Sequence, residues 1–185
     1  MRKLTYIIVP VIILVGFGVW LNIIKIETPS PLPVVVISNF DECEKADNPI
    51  MESYPRRCRF GDVTFTENIG DELDKMNLIR VNNPRPNQVI SSPLIIEGEA
   101  RGFWFFEASF PVVLTDWDGL IIAQGIATAN GDWMTENFVP FTAKLEFKNP
   151  TYKNNGALIL RKDNPSGLPE HDDALEIPII FKNIN

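Results

Sequence analysis

From Leu78 onward the chain breaks into short apolar runs of period two, separated by Pro, Gly, Asn and Asp, and none of them keeps the 3.6-residue period of a helix. The runs fall at 78–82, 94–100, 104–115, 120–128, 138–147, 156–162 and 174–181. Segments of this length and spacing predict antiparallel strands. A sheet with one apolar face hides that face by closing on a second sheet, so the expected fold is all-β, an antiparallel sandwich of about seven strands.

The phase of each strand follows from the alternation. Over 104–115 it assigns Trp104, Phe106, Ala108, Phe110, Val112 and Leu114 to the core face, and Phe105, Glu107, Ser109, Pro111, Val113 and Thr115 to the other. Ala143, Leu145 and Phe147 alternate with Lys144, Glu146 and Lys148. Leu158 and Leu160 oppose Ile159 and Arg161, and Leu175, Ile177, Ile179 and Phe181 oppose Glu176 and Pro178. Pro111 and Pro178 cannot donate to a ladder, which predicts an edge position or a bulge at each.

Residues 4–24, LTYIIVPVIILVGFGVWLNII, form an apolar run with Thr5, Tyr6 and Asn22 as polar interruptions. As a helix the run would span about 31 Å, roughly the hydrocarbon thickness of a bilayer. Arg2 and Lys3 precede it and Lys25 comes after it; with these three removed from 17 basic residues, 14 remain against 24 acidic ones. The positive-inside bias then predicts a cytoplasmic N-terminus and an exported remainder in a single-pass membrane protein. A cleaved signal peptide shares the same opening pattern, but no small-x-small pair succeeds the run, which favours an uncleaved anchor. An acidic balance offers no stripe for nucleic-acid phosphates, so no nucleic-acid partner is expected.

Cys43 and Cys58 are the two cysteines of the chain. Outside the membrane they are expected to pair, closing a loop that stabilises a small module by roughly 3 kcal/mol in the chain-entropy model. Two unrelated thiols are the alternative, and two thiolates without a nearby histidine fall short of a structural zinc site. The expected organisation is an anchor at 1–25, a proline-rich spacer at 26–39, a disulfide-closed hairpin module at 40–67 with its turn at Gly61-Asp62, an acidic helix or linker at 68–77, and the sandwich at 78–185.

Several pieces in order carry a resemblance: Asn83-Pro-Arg-Pro86, Ser92-Pro93-Leu94, Glu97-Gly98-Glu99-Ala100, Trp104-Phe-Phe-Glu107, Asp116-Trp-Asp-Gly119, Gly131-Asp-Trp-Met134 and Lys162-Asp-Asn-Pro-Ser-Gly-Leu-Pro169. Over about 78–183 the chain resembles the immunoglobulin-like domain of bacterial spore germination proteins. The resemblance implies an immunoglobulin-like β-sandwich on a bacterial envelope protein; it does not imply an enzymatic activity, and none is expected. The segment with Asn48-Pro49, Glu52-Ser-Tyr-Pro55 and Cys58-Arg59 is similar to a short cysteine-paired segment of other exported bacterial proteins.

Candidate functional residues are few. Nucleophilic catalysis needs a base, and the lone histidine, His171, has Asp172, Asp173 and Ser166 near it in sequence; a hydrolase built on it or on a carboxylate pair is the weakest alternative. No phosphate-cradling glycine loop or zinc motif is present, and no cofactor is expected. Asp116, Asp118, Asp163 and Asp172, with Glu170 and Asp173, supply enough oxygens for a calcium ion only if their two loops meet, and Asp118-Gly119 is also a turn signal. Parity places Phe105, with Phe103, outward beside Glu107, and Trp117 and Trp133 fall in turn regions. Exposed rings near carboxylates suit a sugar or a protein hot spot, so Phe105, Glu107, Trp117 and Trp133 form the candidate binding face, with an envelope protein or glycan as partner. A structural spacer without a ligand of its own is the alternative.

Overall fold

The computed structural model describes residues 36–182. The apolar run at 4–24 and the spacer up to residue 35 lie outside the described residues, among which no helix is long and apolar enough to cross a membrane. From Ile37 on, the chain gathers into one compact unit. Its strands are β1 (Ile50–Met51), β2 (Arg57–Phe60), β3 (Val63–Thr66), β4 (Ile79–Asn83), β5 (Val89–Ile90), β6 (Leu94–Arg101), β7 (Ser109–Asp116), β8 (Ile121–Ala129), β9 (Phe138–Leu145), β10 (Asn155–Arg161) and β11 (Ala174–Phe181). Two short helices, α1 (Phe40–Lys45) and α2 (Glu72–Lys75), precede the larger sheet.

Each predicted run of the second half holds a strand, because each alternates a side chain that must leave water with one that need not. The strands form one sheet in the order β4-β6-β9-β8-β7-β10-β11-β5. β8 pairs with β9 only through Thr128↔Thr142 and Ala129↔Phe141, and there the sheet curls on itself. Side chains from β4, β6 and β9 then meet those of β7, β10 and β11 in a shared core, with the Phe110 ring of β7 edge-on to Phe141 of β9 at 4.9 Å. The predicted phases hold in β9, β10 and β11, where Ala143, Leu145, Leu158, Leu160, Leu175, Ile177, Ile179 and Phe181 are buried. Pro111 pairs with Ile126 but lies beyond the β7–β10 register, and Pro178 pairs with Ala157 but lies short of the β5 register, so each missing N–H falls where one side of the strand is unpaired.

Two expectations are corrected. β5 runs parallel to β11 through Val89 and Ile90, so the sheet is not wholly antiparallel. The run at 104–115 is not one strand. A 3-10 turn occupies Gly102–Trp104, Phe106 and Ser109 exchange backbone hydrogen bonds of 3.0 Å each way, and Glu107 and Ala108 between them hold φ of 48° and 61°. A Cβ on Gly102 would overlap the carbonyl oxygen of Thr135, so this glycine lets the chain bend against the 131–137 loop. Two turns within seven residues reset the alternation, and regular phase begins again at Ser109.

The cysteine module folds around its own small cluster. Asn39 caps α1 by accepting from the Glu42 N–H at 2.9 Å, and the Glu42 carboxylate reaches back to accept from the Ser38 hydroxyl and then from the Ser38 N–H, both at 2.8 Å, which holds it below the ordinary glutamate range. β1, β2 and β3 make a three-stranded sheet, and Phe60↔Val63 closes the predicted two-residue turn at Gly61-Asp62. Cys43 of α1 and Cys58 of β2 form the expected disulfide, fully buried beside Phe40 and Phe65.

Candidate functional site

Polar joints seat the module on the larger sheet. The Arg56 guanidinium donates to Glu67 at 2.8 Å and to Glu44 at 2.7 Å and lies over the Phe40 ring, while the Asn87 side-chain amide donates to Glu67 at 3.1 Å and to the Asn68 carbonyl at 2.8 Å. Burial pushes the Glu67 carboxyl up, but the Arg56 hydrogen bond and charge outweigh it, and Glu67 titrates below the ordinary range. Hydrogen bonds to Glu67 and then to Glu44 hold Arg56 well above its usual value. Arg85 pairs with Glu72 at 2.5 Å, and Tyr54 donates to the same carboxylate. The segment at 68–77, expected as an acidic helix or linker, holds the short helix α2 and packs down on β11: Asp71 accepts from the Glu176 N–H at 2.7 Å and its own N–H donates to the Glu176 carbonyl. Gly70, at φ 70°, sits so close to that carbonyl that a Cβ would overlap it.

Between module and sheet this leaves a cleft of about 1110 Å³. Its floor is the outer face of β10 and β11, with Ala157, Pro178 and Ile180, and its walls carry Asp41 and Glu44 of α1. Asp116, Trp117 and Gly119 of the β7–β8 turn close one end. The Asp116 carboxylate accepts from the N–H groups of Asp118 and Leu120, fixing this turn, and Trp117, 39% exposed, stands against Tyr152 with the Lys153 ammonium 3.7 Å over its ring.

The predicted binding face does not assemble. Phe105 is 4% exposed and packs 5.1 Å from Phe110 in the core, because the turn at 106–109 swings Phe106 outward in its place. Glu107 is exposed on that turn, at the opposite end of β7 from Trp117 and so about 26 Å away at about 3.3 Å per residue. Trp133 packs on the core and does not stand free in its loop. Of the four, Trp117 alone reaches the cleft.

The cation candidates are likewise divided. Asp116 lies opposite Gly156 at the start of β10, whereas Asp163 and Asp172 come after the other end of that strand, so the two loops do not meet. Asp172 accepts from Asn164, Asp173 pairs with Lys75, whose ammonium it holds above the usual lysine value, and no metal-binding group forms among the described residues. Ser166 donates to Asn164 at 2.5 Å and not to His171, which stands exposed on a 3-10 turn at Pro169–His171.

The curled sheet and its buried Trp104 are the frame on which the comparisons bear. Residues 78–167 match the family model described as the immunoglobulin-like domain of bacterial spore germination. Over this segment the chain is similar to that family. No curated protein and no solved structure matches the chain. The matched segment supplies β10 and the Trp117 turn to the cleft, whereas β11 and the cysteine module lie beyond the matched residues. A domain of this family is suited to a binding or structural role. Glu176 was legible as an outward residue of β11, but Asp41 and Glu44 carried no signal, since their place depends on how the module docks.

Proposed function

We propose that the protein is a membrane-anchored, extracytoplasmic binding module of the bacterial cell envelope, holding a protein or glycan partner without catalysis. The observation that carries this reading is the cleft between module and sheet, with a half-exposed tryptophan at its mouth. The anchor and the orientation rest on the apolar run at 4–24 and the acidity of the chain beyond residue 25.

Photo-crosslinking from position 155, an exposed residue on the cleft floor, in intact bacteria tests the proposal. The expected result is an adduct with an envelope component in the membrane fraction, reduced several-fold by Trp117→Ala. Recovery of the protein in the cytosol with both cysteines reduced would remove the location. An adduct unaffected by Trp117→Ala would remove the site and leave a spacer.

A further inference from the structure

The cleft has a shape, a floor and a charge, and together these select a partner. Resting on the reading that this cleft binds, we infer that its occupant is an extended, lysine- or arginine-bearing peptide segment of a partner protein. Asp41, Glu44, Glu67, Asp71, Asp116 and Glu176 line it against Lys45 and Arg56, six carboxylates to two cations. Arg56 is divided between Glu44 and Glu67, so it presents little positive charge to an incoming chain. Asp41 and Glu176 are exposed and form no ion pair among the described residues. In a concave wall such carboxylates focus their field toward the open space and attract cations.

The other two features are independent of that charge. Thr115, Ala157, Pro178 and Ile180 make a floor of small and apolar groups, suited to the aliphatic stem of a long basic side chain whose head reaches a carboxylate. At the cleft mouth the Trp117 face already holds a cation, the Lys153 ammonium at 3.7 Å, which a partner's guanidinium would displace. A neutral glycan would use the ring and leave the carboxylates unmatched. An acidic peptide would be repelled.

The test is fluorescence anisotropy with the full chain in neutral detergent and a labelled peptide of alternating lysine and alanine at low salt. Binding that weakens as salt rises is expected. Reversing one wall charge with Glu176→Lys should weaken it by about tenfold, because a matched pair becomes a like-charge contact. Asp41→Asn should weaken it several-fold, whereas Glu97→Lys, on the exposed face of β6, makes the same charge change away from the cleft and should leave the affinity within about twofold. The inference is overturned if the lysine peptide does not bind, if a glutamate-alanine peptide binds equally, or if Glu97→Lys weakens binding as much as Glu176→Lys. Loss of the crosslink from position 155 would remove the binding reading itself; a retained crosslink with no lysine-peptide binding would remove only the cationic partner.

Discussion

Phe105 is buried beside Phe110, while Phe106, its neighbour in sequence, is 41% exposed. Strict alternation assigns them the other way round, and the difference lies in two backbone turns that no hydrophobic pattern reveals. Two-residue hairpin turns with positive φ usually announce themselves with Asn or Gly, but Glu107 and Ala108 occupy this one. The correction makes a sharp prediction. Phe105→Ala should remove about 3–5 kcal/mol of stability by leaving a core cavity, whereas Phe106→Ala should change it by about 0.5 kcal/mol or less. Urea unfolding of the two variants decides the matter, and a larger loss for Phe106→Ala would restore the continuous strand. Glu107, for its part, is a solvated turn residue remote from the cleft.

Strands and helices were legible to different degrees. β6, β9, β10 and β11 match their runs to within about two residues, since each alternates cleanly across a half-buried sheet. β5 escaped because two residues cannot show a period, and its parallel pairing with β11 is made in three dimensions. The joint between module and sheet hangs on Glu67, whose lowered pKa has a consequence for pH. The Arg56–Glu67 contribution is fully present above the ordinary glutamate value of about 4.3 and is lost as pH falls through the lower folded value. It amounts to about 1 kcal/mol at most, because the Arg56 side chain is 43% exposed and water screens the pair. Thermal melts at pH 7 and pH 3 should show the parent losing more stability than Glu67→Gln between the two; equal losses would show that this carboxylate does not couple docking to pH.

At the scale of the whole molecule, module and sandwich belong to one compact unit, and the cleft exists only because the smaller part packs against the larger. Within the module the core is small, Phe40 with the two half-cystines and the flanking Ile37 and Phe65, so the cross-link between α1 and β2 carries much of its stability. Replacing both Cys43 and Cys58 by serine should therefore lower the module's stability by roughly 3 kcal/mol. Hydrogen exchange should quicken in residues 40–67 while amides of β7 and β10 keep their protection, because those strands are buried in a separate core. Unchanged exchange in the module would mean that its seat on the sheet, rather than the bridge, holds it folded.

Alternation, turn residues and two cysteines were enough to determine an all-β domain, most of its strands and the pairing of Cys43 with Cys58, because each of these is dictated by neighbours in the chain or by the scarcity of alternatives. The path of residues 102–108 and the composition of the cleft were decided only when distant segments met: Gly102 against Thr135, Gly70 against Glu176, Asn87 against Glu67. Those contacts join groups separated by 20 to 106 positions, so no local period encodes them, and the carboxylates that line the cleft become a common field only after α1 has docked beside β11.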